Sequence, residues 1–156
     1  MLNDKKFLKQ AIKQARKSVL LGGFPAGAVL VKNNKVIAKG VAVGSLISDP
    51  TAHPETSMIR KVCKKLNTNN LADVTLYTSL ECCNMCFSAS YWAGVTRIVY
   101  ACRKTPTLIK KFYYEGSISN SYLNQNNHRQ IELVFAPELE EESLAVIKAW
   151  EEKMTV

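Results

Sequence analysis

His53-Pro54-Glu55 and, thirty positions on from the histidine, the run Glu81-Cys82-Cys83-Asn84-Met85-Cys86 supply an imidazole, a carboxylate and a Cys-x-x-Cys pair. These are the donor types of a zinc site. Structural zinc takes four protein ligands, whereas catalytic zinc takes three and leaves one position for water. The chain has two histidines, and the second, His128, lies in the polar run Asn124 to Arg129 with no zinc-finger spacing around it, so the donor count stops at three. Cys83 and Cys86 are one helical turn apart, which lets one ion bridge both sulfurs. Cys82 and Cys86 are also one turn apart and form an alternative pair on spacing alone. Glu55 follows His53 by two residues, near enough to reach a water on the metal and too near to make a comfortable fourth ligand. Its chemistry would be proton transfer to and from that water.

His-x-Glu followed by Cys-x-x-Cys is the pattern of the zinc deaminases. Phe24-Pro25-Ala26-Gly27-Ala28-Val29-Leu30-Val31, Asp49-Pro50-Thr51-Ala52-His53, Leu76-Tyr77-Thr78-Ser79 and Ser90-Tyr91-Trp92-Ala93 extend the likeness. Over roughly residues 5 to 103 the chain resembles the cytidine/deoxycytidylate deaminase superfamily, most closely its guanine deaminase and tRNA adenosine deaminase branches. The resemblance implies Zn2+ as cofactor, His53, Cys83 and Cys86 as its ligands, Glu55 as the catalytic shuttle and a homodimer paired through the cysteine-bearing helix. It also matches Cys82 to the proline that precedes the first ligand cysteine in relatives, leaving Cys82 as a buried structural side chain. Cys63 and Cys102 read as structural too.

Two positions depart from that pattern. Relatives carry a base-binding asparagine eleven residues before the ligand histidine, where this chain has Ala42, and no asparagine occurs between Asn34 and Asn67. After the histidine relatives carry a small residue whose N–H faces the substrate, where this chain has Pro54, which has no N–H. Chemistry is retained and recognition altered. Replacement substrate contacts are expected from Tyr114 and Glu115 in the loop 111–116, and from Trp92.

The elements that must position these residues follow from periodicity. Residues 5 to 20 carry Phe7, Leu8, Ala11, Ile12, Ala15 and Val19 at helical spacing. Ala26 to Val31 and Val36 to Val43 form a hairpin about Lys32-Asn33-Asn34-Lys35. A helix is predicted over 54–66, a strand over 74–77, a helix buried on all sides over 83–93, and strands over 95–101 and 131–135. A last helix runs from Pro137 to about Lys153. The two helical crossovers after the hairpin are expected to make parallel neighbours. The sum is one domain over 1–156, α/β, with a mixed five-stranded sheet and helices on both faces, and the resemblance implies a three-layer α/β/α sandwich.

Five cysteines, three of them within five positions, have ligand spacing and not disulfide spacing, which points to a reducing, cytoplasmic setting. No apolar run approaches the roughly 18 residues of a membrane span. The net charge of +8 invites RNA. Yet Lys5, Lys6, Lys9, Lys13, Arg16 and Lys17 fall on one solvated helix side and the C-terminal segment is acidic. That weighs against RNA, and the resemblance implies a small amino-heterocycle as the expected partner, with guanine-like purines favoured, a tRNA adenosine as the alternative and a catalytically silent zinc-binding subunit as a further one.

Overall fold

A computed structural model of the chain describes residues 2–155, the side chain of Leu2 excepted. Helix α1 (Leu2–Leu20) is followed by β1 (Gly27–Lys32), β2 (Lys35–Val41), α2 (Pro54–Leu66), β3 (Val74–Thr78), α3 (Asn84–Trp92) and β4 (Arg97–Tyr100). Two short helices, α4 (Pro106–Lys110) and α5 (Asn120–Asn126), precede β5 (Glu132–Phe135), a 3-10 turn at Pro137–Leu139 and α6 (Glu140–Met154). No helix of the described residues is long and apolar enough to cross a membrane.

The five strands form one sheet in the order β2-β1-β3-β4-β5. Asn33 and Asn34 turn the hairpin with φ of 49° and 62°, the left-handed pair that a two-residue hairpin turn requires. Strand β1 also pairs antiparallel with β3, and β3, β4 and β5 run parallel. One expectation is corrected here. The crossover through α2 steps over β1, so β2 and β3 share a direction without being neighbours. The second parallel step, from β4 to β5, is made by α4 and α5, which periodicity did not reveal. Helices of five and seven residues are too short to display an apolar stripe, although Thr105 and Ser119 cap them by accepting from Leu108 and Tyr122 N–H.

Alternation along the strands fills both faces of the sheet. Ala28, Leu30, Leu76 and Ile98 pack with Met58, Val62, Cys86 and Phe87 from α2 and α3. Val29, Val31, Tyr77 and Val99 pack with Phe7, Leu8, Ile12 and Ala15 of α1 and Val146 of α6. This is a three-layer α/β/α sandwich. Close approach needs small residues at the contacts: a Cβ at Gly40 would lie 2.5 Å from the carbonyl oxygen of Pro54, so β2 carries the start of α2 directly against it.

Helix α3 is not buried on all sides. Cys86, Phe87 and Ser90 face the core, whereas Trp92 is 81% exposed. The basic side of α1 is solvated as expected, with Lys5, Lys6, Lys9, Lys13, Arg16 and Lys17 all exposed and Arg16 paired with Glu142 at 2.9 Å.

Because β2, β3 and β4 run the same way and β1 runs opposite, one end of the sheet collects the segments before β1 and after β2, β3 and β4. Apart from Trp92, at the last position of α3, the residues singled out for chemistry belong to those segments or to the helix starts that follow them.

Candidate active site

His53 immediately precedes α2 in extended backbone, φ −74° and ψ 161°, and its N–H donates to the Thr56 hydroxyl at 3.1 Å. Cys83 precedes α3 in the same way, with its sulfur accepting from Cys86 N–H at 3.4 Å. Two helix N-termini thus converge, each favouring negative charge. His53 Nδ1 lies 3.5 Å from Cys83 Sγ and 3.4 Å from Cys86 Sγ, and the three ligand atoms are within 4.8 Å of one another. Tetrahedral zinc with Zn–S of about 2.3 Å and Zn–N of about 2.0 Å sets sulfur and nitrogen about 3.5 Å apart, so the donors fit the ion.

The electrostatics fit it as well. Glu55 is 7% exposed, and its Oε2 accepts from the Cys86 sulfur at 3.3 Å. Burial pushes its carboxyl above the ordinary range, with the charge on Cys83 adding to the effect. The hydrogen bond from Cys86, opposed by burial, brings the Cys83 thiol down to about 5. The same bond, with burial, holds the Cys86 thiol far above its ordinary value. His53 is raised by its bond to Cys83. A divalent cation among these crowded acidic groups would supply the counter-charge that lets both thiols ionise.

Cys82 stays outside the cluster. It is buried in the core under α2 and α3, and burial pushes its thiol well above the usual range. Cys102 is fully buried in a second cluster with Leu80 and Leu108, and Cys63 is half-buried. His128 is exposed.

The cysteine loop is held from the chain segment after β4. Glu81 N–H donates to Cys102 O at 2.6 Å, Tyr114 hydroxyl to Glu81 O at 2.8 Å and Asn120 Nδ2 to Cys82 O at 2.8 Å. Lys104 Nζ donates to Asn84 Oδ1 at 2.8 Å and to Ile118 O at 3.0 Å. Outer partners of this kind fix ligand orientation and tune a metal.

A cavity of about 730 Å³ opens above this cluster, its floor made by His53, Glu55 and Cys83. Ala42 and Pro54 both line it, so the two departures face any ligand. Ala42 is fixed there by Ser18, whose hydroxyl accepts from Ala42 N–H at 2.9 Å and donates to Ala26 O at 2.7 Å. Tyr114 lines the cavity with its hydroxyl already bonded to Glu81 O. Glu115 lines it too, and its carboxylate accepts from Asn84 N–H at 2.5 Å, capping α3. Trp92 is not brought to this cavity. It sits at the far end of α3 with its ring edge-on to Tyr91 at 5.7 Å.

The residues that sequence reasoning missed form the outer wall. Phe24 and Tyr113 line the cavity, 5.3 Å apart edge to face, and Trp150 of α6 packs behind both at 5.4 and 5.7 Å. Glu151 fixes that wall by accepting from the Tyr113 hydroxyl and from Lys111 Nζ, each at 2.7 Å. The aromatic run Phe112-Tyr113-Tyr114 was the available signal; its partner in α6 left none.

The comparisons with known proteins agree with this geometry. The family model of the cytidine and deoxycytidylate deaminase zinc-binding region matches residues 1–102. The guanine deaminase of Bacillus subtilis (strain 168) is 45% identical over 105 residues, 67% of this chain and 67% of that protein. The tRNA-specific adenosine deaminase of Buchnera aphidicola subsp. Baizongia pistaciae (strain Bp) is 38% identical over 131 residues, 78% of this chain and 81% of that one. The solved guanine deaminase from Nitrosomonas europaea superposes with a TM-score of 0.81 over 92% of this chain and 82% of its own, and at 22% identity that likeness is one of fold. With a zinc-binding region matched across the three-donor cluster and relatives that are themselves deaminases, the chain belongs to the cytidine and deoxycytidylate deaminase family.

Proposed function

We propose that the chain is a hydrolytic zinc-dependent deaminase of a nucleobase, nucleoside or related amino-heterocycle, with a guanine-like purine favoured, and that residues 1–156 form one catalytic domain. The observation that carries this reading is the buried carboxyl of Glu55 beside three metal donors at the floor of an open cavity. His53 Nδ1 and the sulfurs of Cys83 and Cys86 would hold the ion. A bound zinc ion supplies Lewis acidity, which lowers the pKa of water from about 15.7 to roughly 7. Glu55 takes the proton from the attacking water and delivers it to the ring nitrogen. A C–O bond forms at the amidine carbon; Glu55 then takes the second proton, from the added hydroxyl, and passes it to the amine, so that the C–N bond breaks, a carbonyl forms and ammonia departs. The raised affinity of its buried carboxyl for a proton suits a group that must both accept and return one.

A second reading, tRNA adenosine deaminase, draws on the relatives of that name. A silent zinc-binding subunit has no use for Glu55. The free cysteines fit a reducing cytoplasm, and the exposed side of α3 fits pairing with a second copy. The test is ammonia release from a panel of free bases, nucleosides and triazines, with a tRNA anticodon stem-loop analysed for inosine in parallel. Turnover of at least one free ring is expected, together with weak tRNA binding that collapses with salt. Inosine in the tRNA with no free ring consumed establishes the second reading.

The altered contacts give a separate expectation. Ala42→Asn with Pro54→Ala restores two polar groups to the cavity wall, each worth about 0.5–1.5 kcal/mol to a neutral partner, so kcat/KM for guanine or cytosine should rise by roughly tens-fold. Efficient wild-type turnover of guanine with no gain in the double variant would strip these positions of any role in recognition.

A further inference from the structure

The cavity is larger and drier than a bare ring needs. Its volume lies in the upper part of the roughly 300–1,000 Å³ range of sites that enclose drug-sized ligands. Away from the metal donors the large side chains of its walls are Phe24, Phe112, Tyr113 and Tyr114 with Leu80 and Met85, beside Ser45, Glu81 and Glu115. Both tyrosine hydroxyls are bonded elsewhere, to Glu151 and to Glu81 O, so rings face the ligand and hydroxyls do not. No lysine or arginine among the described residues lines the cavity, while the carboxylates of Glu55, Glu81 and Glu115 do. The nearby cations are engaged, Lys104 with Asn84 and Ile118 and Lys111 with Glu151. A phosphate would meet acid groups and no fork or ammonium to receive it.

Phe112 adds an independent observation. It is the left-handed residue of the turn that ends α4, with φ of 61°, where its N–H donates to Ile109 O and Tyr113 N–H donates to Leu108 O. Glycine is the usual occupant of that position. Among the described residues the other non-glycine positions with positive φ are three asparagines and a serine, small and polar, so a bulky aromatic there is strained. The backbone cost is retained with a ring that is 92% exposed and packs into no core, at the rim of this cavity. Strain of this kind clusters at ligand clamps.

We infer that the substrate is an uncharged amino-heterocycle bearing an apolar alkyl or aryl substituent that seats against Phe24, Phe112 and Tyr113, and that it carries no phosphate. The inference rests on the deaminase reading and names its substrate class. The reaction balances as before: water adds at the amino-bearing carbon, the C–N bond breaks, ammonia leaves, and the substituent is untouched.

The experiment compares guanine, guanosine, guanosine monophosphate and 9-benzylguanine, and the corresponding four forms of cytosine and adenine, by ammonia release and by titration calorimetry with zinc-loaded protein. For at least one ring the benzyl form should exceed the unsubstituted ring by about tenfold to a hundredfold in kcat/KM and in affinity, the worth of burying one aromatic group. The monophosphate should be the poorest. Phe112→Gly should cut the benzyl-to-bare ratio by about tenfold while leaving the melting temperature unchanged or higher, because glycine relieves the left-handed strain. A nucleoside or monophosphate preferred over the benzyl form overturns the inference and leaves the deaminase reading standing. Absence of ammonia from every ring, with the benzyl form still bound most tightly, overturns the deaminase reading and with it the assignment of a substrate, and leaves only an apolar ligand seat at Phe24, Phe112 and Tyr113. Failure of every benzyl form to bind better than its bare ring, or an unchanged ratio in Phe112→Gly, also overturns it.

Discussion

Glu55→Gln is expected to lower ammonia release by about 10²–10⁴-fold, with zinc content unchanged. The substitution keeps volume and hydrogen-bonding capacity at a site that is 7% exposed, so packing around α2 is preserved and the loss falls on proton transfer. Glutamine accepts no proton at neutral pH and returns none to the amine. The contact between Glu55 Oε2 and Cys86 Sγ at 3.3 Å sets the carboxylate beside the donor cluster without making it a donor, which is why metal should remain. Steady-state rates with metal analysis on the same preparation decide it. A variant turning over near the wild-type rate would move the shuttle to another residue, with Glu81 and Glu115 as the remaining carboxylates on the cavity.

Cys83→Ser and Cys86→Ser should each lose the zinc that wild type holds at about one ion per chain. Removing one of three donors should cost more affinity than the roughly 10–100-fold of an outer-partner change. A ligand present at about 100 times its dissociation constant stabilises a fold by about 2.7 kcal/mol. At about 2–4 °C per kcal/mol for a chain of this size, loss of zinc should lower the melting temperature by roughly 5–10 °C. Cys82→Ser is the control and should keep the metal. Its new hydroxyl would sit in the apolar cluster of α2 and α3, at a cost of about 1–3 kcal/mol, so zinc content discriminates where melting does not. Zinc bound as well by Cys83→Ser as by wild type would overturn the donor assignment.

The metal cluster was legible because its chemistry restricts residue types and because both donor segments sit at helix starts that local patterns reveal. Pro54 opening α2, and Asn33-Asn34 turning the hairpin, are decided within a few residues. What escaped was set by distance. The insertion of β1 between β2 and β3 depends on pairing of Ala28 with Thr78, fifty positions apart, which no local pattern encodes. Glu115 was legible as a loop acid, yet its partner is a backbone N–H on α3. Trp92 read as a substrate aromatic on a helix expected to be buried on all sides because α3 is apolar in composition; one side of that helix is nevertheless open. The wall of Phe24, Tyr113 and Trp150 joins three segments, and its existence follows only from how α6 lies on the sheet.

That wall has a consequence for biosynthesis. Cys86, the last residue of the proposed donor cluster, leaves the ribosome 64 residues before Trp150, the ring that backs Phe24 and Tyr113. At about 5–20 residues per second, some 3–13 seconds separate the two events. The nascent chain thus carries all three residues of the cluster while the outer side of the cavity still lacks its brace, which forms only as α6 docks.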